Sequence, residues 1–182
     1  MHPTRHGLRA MFASTLCAAI VFQSASAAEL LERAVLPANT FSPGPTSGQF
    51  AASANGNVLP LINKQPVQGL SAVLRGPVKG TFLVMSDNGF GAKGNSADAL
   101  LRVDAVKPNF ETGEVTPVNR FTGEELSEFS SDSFMTLRDP WKKIPWPIVA
   151  DGATYPNTPT GGGAPIPVDA SIKAGRLLTG SD

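Results

Sequence analysis

The chain is poor in the groups that most enzymes use for chemistry. It has two histidines, His2 and His6, and one cysteine, Cys17, all within the first 27 residues. Those residues read as a cleavable export signal. His2, Arg5, His6 and Arg9 make a basic start, Met11–Phe22 is an apolar run broken only by Ser14 and Thr15, and Ala25-Ser26-Ala27 is the small-residue cleavage site. A membrane-spanning helix needs about 20 apolar residues, so this run is too short to serve as an uncleaved anchor. Cys17 follows Leu16 inside the apolar run and is not placed as a lipid-bearing cysteine at a cleavage site.

If cleavage follows Ala27, the mature chain Ala28–Asp182 has neither histidine nor cysteine. That excludes, within this chain, a Ser–His–Asp triad, a cysteine nucleophile, an imidazole acid or base, and the usual zinc ligands. A disulfide is excluded too, although the compartment would permit one. What remains is carboxylate, amide, hydroxyl and amine chemistry, and hard cations such as calcium held by oxygen. Excess charge is also lacking. The whole chain carries 15 basic and 15 acidic residues, and loss of Arg5 and Arg9 leaves it slightly acidic. That gives no overall footprint for nucleic acid or an anionic membrane.

Proline and glycine, by contrast, are abundant, at 16 and 18 residues. They predict many turns and little helix. Helical character is expected only over Ala28–Leu36. Strands are expected at Gln49–Ala54, ahead of the Asn55-Gly56-Asn57 turn, at Gln68–Leu74 and at Thr81–Met85, the last apolar on both faces like an interior strand. Leu101, Val103 and Ala105 alternate with Arg102 and Asp104, which predicts a strand with the apolar residues inward and Pro108 ending it. Glu114–Val118 follows as a strand, Phe129–Leu137 has no clear type, Asp151–Pro167 is a surface excursion, and Ile172–Leu178 begins a last strand.

Three motifs lose force on inspection. Gly89, Gly91 and Gly94 spell G-x-G-x-x-G after a strand, and Asn95 or Ser96 could cap a helix over Ala97–Val106. Pro108 and the turns beyond it leave no second parallel strand for a dinucleotide site. Asp87 to Asp98 has the length of an EF-hand loop, but Gly89 and Gly91 stand where side-chain oxygens are needed. A different calcium site using Asp87 and Asn88 stays open beside the plainer reading of an Asx turn. Gly69-Leu70-Ser71-Ala72-Val73 lacks the last glycine of a nucleophile elbow and has no histidine to serve it, so Ser71 is read as a strand residue.

The blocks Lys64–Ala72, Phe82–Gly91, Ala92–Asp98, Leu137–Pro140 with Lys143–Pro145, and Arg176–Asp182 resemble the "esterase-like activity of phytase" family of exported bacterial proteins, over roughly Pro37–Asp182. The resemblance implies an all-β, β-propeller-like fold with long Pro/Gly-rich loops. A propeller closes with four to eight four-stranded blades, so the chain is expected to be an N-terminal part: signal 1–27, short segment 28–36, truncated phytase-like domain 37–182. The implied activity is hydrolysis of an ester, a phosphate ester being the expected case, with calcium shielding charge and activating water.

Asp87 and Asn88 are the first candidate calcium ligands, and Asn95 and Asp98 the second. Lys93, Arg138 and Lys143 are candidate substrate contacts, with solvated surface as the ordinary alternative for each. Asp139, before Pro140, reads as a turn residue. The competing expectation is a non-catalytic exported β-rich binding module, since the mature chain shows no dense carboxylate cluster.

Overall fold

A computed structural model describes residues 30–51, 56–87, 89–152 and 166–182. The chain divides into Met1–Leu31 and Glu32–Asp182. Of the first unit only Leu30 and Leu31 are described, both exposed. The proposed signal, Asn55, Asn88 and most of the 151–167 excursion lie outside the described residues.

The second unit is mostly strand. β1 (Phe41–Pro43) pairs antiparallel with β2 (Lys64–Pro66) in a small ribbon. The main sheet runs β3 (Leu70–Arg75), β4 (Phe82–Ser86), β5 (Arg102–Asn109), β6 (Glu114–Pro117), all antiparallel. β7 (Phe134–Thr136) shares the outer position with β6, pairing the first residues of β5 while β6 pairs the last. Among the described residues the sheet is open, with β3 at one edge. This is the expected all-β architecture, with strands in two antiparallel sheets and little helix.

The register fixes the two faces. Val73, Val84, Asp104 and Phe134 lie in one row across the sheet, with Phe82 and Val106 beside them. Val67, Val84, Val106 and Phe129 form the core on that face, with Leu36, Phe82 and Val115 packed against it. On the other face Ala72, Met85, Val103 and Met135 make a row, and Leu74, Leu83 and Ala105 another. Beyond the sheet, Leu100, Ile148, Ala150 and Ile172 form a second core, and Phe50, Ala97 and Val149 a third.

Several expectations need correction. In β5 the buried residues are Arg102, Asp104, Ala105 and Val106; of those expected inward Ala105 is buried, while Val103, and Leu101 just before the strand, are only half-buried. The β1–β2 ribbon brings Ser42 within 2.6 Å of the Arg102 guanidinium, and Phe134 lies 3.8 Å beneath it, so the charge has partners inside. Pro108 does not end the strand. β4 pairs only as far as Val106, so at Pro108 the strand has β6 alone as neighbour, where a missing N–H is tolerated.

Ala170–Gly175 is a helix, α1, rather than the start of a strand. Asp169 caps it by accepting from the Ser171 amide at 2.7 Å, and Ile172 buries its inner side. Residues 30–36 are not helical, and Val35 bridges to Glu114. Gln49 and Phe50 form a turn, and residues 97–106 form no helix.

Candidate functional site

The candidate calcium loop leaves β4 at Ser86 and returns to β5. Its glycines serve backbone geometry. A Cβ on Gly89 would lie 2.7 Å from that of Ala99, and Gly91 has φ +81°. A single 3-10 turn, Lys93–Asn95, follows, and no α-helix opens after the glycine triplet. Asp87 is exposed, and Asn88 lies outside the described residues. Asn95 turns its Oδ1 back to the Ala92 amide at 3.1 Å, and the Ser96 hydroxyl donates to the Ala92 carbonyl at 2.8 Å.

Asp98 is only 3 % exposed. Its Oδ1 accepts from the Gly48 amide at 3.0 Å and its Oδ2 from the Gln49 amide at 2.8 Å. Burial pushes this carboxyl above its usual range, and the two amides pull the other way. Next to it Gln65, fully buried, donates to the carbonyls of Pro45 and Asp98 and accepts from the Leu100 amide at 2.7 Å. Asp98 and Gln65 thus stitch segment 45–49 to the start of β5. Gln65 is a residue the sequence reading passed over, since a polar side chain in a short strand gives no sign of facing inward.

The other candidates lie apart from that clasp. Lys93 is exposed, and its Nζ reaches the Asp182 carbonyl at 3.4 Å. Arg138 and Lys143 are exposed on the segment after β7. Between them Asp139 accepts from the Lys143 and Ile144 amides at 2.8 and 3.0 Å, which draws its carboxyl below the usual range, with Arg176 adding to the effect. Asp139 is the turn residue expected. Asp182 repeats the pattern, accepting from the Val149 and Thr179 amides at 2.7 and 2.8 Å.

Asp104 is the exception among the buried carboxylates. It is 2 % exposed, and its Oδ1 has no hydrogen-bond partner. Burial pushes its carboxyl up to about 6, against the attraction of Arg102, whose own value burial lowers to about 10. Among the described residues no group of three or more acidic, His or Cys side chains is arranged to hold a metal ion.

Concavities lie elsewhere, a larger one, of about 590 Å³, being polar and lined by Lys107, Glu111, Glu114 and Glu125 among others. An apolar cleft of about 320 Å³ lies over one face of the sheet and reaches its β3 edge, lined by Leu36, Leu70, Val73, Phe82, Val106 and Val115 among others. β3 forms one wall. It is hydrogen-bonded only to β4 among the described residues, and all six of its residues are exposed, Val73 at 63 % and Leu74 at 69 %. Comparison of the chain with family models, with curated proteins and with solved structures found no match.

Proposed function

We propose that residues 32–182 act as a β-rich binding module that accepts an extended apolar segment along the free edge of β3. The observation that carries this is the pairing of an unpartnered strand edge with an apolar cleft. A guest strand would take up the unpaired backbone groups of Leu70–Arg75, and alternate side chains would enter the cleft beside Val73 and Phe82. β3 has no proline or lysine and one charge, Arg75, at its end, and the irregularity in its pairing is confined to its first residues, Leu70–Ala72. Calorimetry with a synthetic peptide of alternating valine and threonine tests the reading. Saturable binding that Val73→Lys abolishes is the expected result, and no heat of binding at all overturns it.

The propeller-like reading belongs here as well. The open sheet has the width of one blade, and the apolar row Ala72, Met85, Val103 and Met135 offers a face for a neighbouring sheet. Export through cleavage after Ala27 is part of the same proposal, and N-terminal sequencing of the secreted product tests it.

A second reading, a calcium-assisted phytase-like hydrolase of which this is the first part, is favoured by the sequence resemblance and by Asp87 and Lys93, exposed in the same loop. Asp87, Asn88 and Asn95 would supply oxygen ligands in that reading, while Asp98 would have to give up two backbone amides to do so. Lys93, Arg138 and Lys143 would meet an anionic ester. Calcium-dependent release of nitrophenol from nitrophenyl phosphate is its expected signature. A rate unaffected by chelator counts against it.

A further inference from the structure

Both of the protein's tryptophans lie on one short segment, Asp139–Pro147, and both face solvent, Trp141 at 78 % and Trp146 at 58 % exposure. Indole is costly to leave in water, so two exposed tryptophans in sequence neighbourhood call for a use. The segment is held firmly. The Lys142 amide donates to the Asp139 carbonyl at 3.2 Å, closing a turn over Pro140 and Trp141, and the Asp139 carboxylate holds the next two amides. Arg176 Nε donates to the Asp139 carbonyl at 2.7 Å. Ile144 packs on the core that contains Ile148 and Ile172. Lys142 has φ +52°, a left-handed conformation that lysine rarely adopts and that persists where the surroundings enforce it.

The charge on this segment is of one sign where it meets solvent. Arg138, Lys142 and Lys143 are exposed, and none has a carboxylate partner among the described residues. The only carboxylate of the segment, Asp139, is buried and spent on backbone amides and Arg176. The near-zero net charge of the chain hides this local excess.

We infer that residues 138–147 form a docking loop for an anionic bilayer surface, with the two indoles at headgroup depth and the three cations against lipid phosphates. Tryptophan is the residue that partitions to the membrane–water interface, and lysine and arginine reach from there to phosphate. A neutral sugar would stack on indole but would also need hydroxyl, amide or free carboxylate partners, and the exposed polar side chains here are all cations. A free phosphate would use the lysines and leave both indoles without a role. This surface is separate from the β3 edge and does not depend on it.

Because both tryptophans lie in the loop, their emission reports on it alone, even if the apolar Met11–Phe22 run itself enters lipid. The test is a titration of the 182-residue chain with vesicles of phosphatidylglycerol and phosphatidylcholine. A blue-shifted emission is expected, with roughly a five-fold gain in affinity per cation over phosphatidylcholine alone. The Lys142→Glu/Lys143→Glu variant, altered only at exposed side chains, is expected to lose that preference while keeping its melting temperature. Arg138→Glu checks the same point from outside the turn. No shift with anionic vesicles overturns the inference, and so does an equal shift with soluble glycerol phosphate or an equal shift in the charge-reversed variants.

Discussion

The loop half of the molecule and its sheet treat buried polarity in opposite ways. In the loop half, Asp98, Asp139 and Asp182 each accept from two backbone amides, and Gln65 joins two carbonyls and an amide. Long irregular segments stay in one shape because each carboxylate replaces hydrogen bonds that no strand supplies. In the sheet, Asp104 is buried with one oxygen unpaired, and β3 exposes apolar side chains on both faces. These clasps are satisfied within the chain, whereas the sheet has a buried polar group left over. Of the candidate ligands, Asp98 is committed to backbone amides, and the proposed strand-binding surface lies on an apolar edge that the sequence presents as ordinary strand.

Removing a clasp should have the largest effect. Asp98→Ala strands the buried Gly48 amide and the partly buried Gln49 amide and is expected to cost on the order of 3 kcal/mol, read as a drop in denaturation midpoint with little change in slope. Asp98→Asn should recover part of it, because the amide oxygen still accepts one bond.

Asp104 should act the other way. Its folded carboxyl titrates at about 6, above its ordinary 3.8, so between those values the folded chain keeps a proton that the unfolded chain has released. The stability contributed by the protonated group is full below about pH 4 and is lost as pH rises through about 6. Asp98, also raised, adds in the same direction. Melting at pH 5 and pH 7.5 should show this group contributing on the order of 1 kcal/mol more at the lower pH, and Asp104→Asn should flatten the difference. An unchanged slope in that variant would place the titration elsewhere.

The smallest stability effect is expected at the edge. Leu74→Lys should alter stability by no more than about 0.5 kcal/mol, since the side chain is already largely in water. The same change should weaken uptake of a strand peptide, separating binding from folding.

Much of the sheet was legible in the sequence. β3, β4 and β6 stand out as apolar or β-branched runs between glycine and proline turns, and all three form where expected. The inward face of β5 was not legible, because alternation suggests a side but cannot show that Ser42, sixty residues away, supplies a partner for Arg102. The helix at Ala170–Gly175 had a signal in Asp169 as its cap, outweighed in the reading by the apolar residues that follow. The loop clasps were opaque for a simpler reason. Asp98 and its amide partners are about fifty residues apart, and only the folded chain brings them together.

The most direct test of the central claim is residue-resolved amide exchange over Leu70–Arg75, with and without the valine–threonine peptide. The account predicts fast exchange at the outward-facing β3 amides in the free chain and slowed exchange on peptide addition. Amides already protected in the free chain, or unchanged by the peptide, would contradict it.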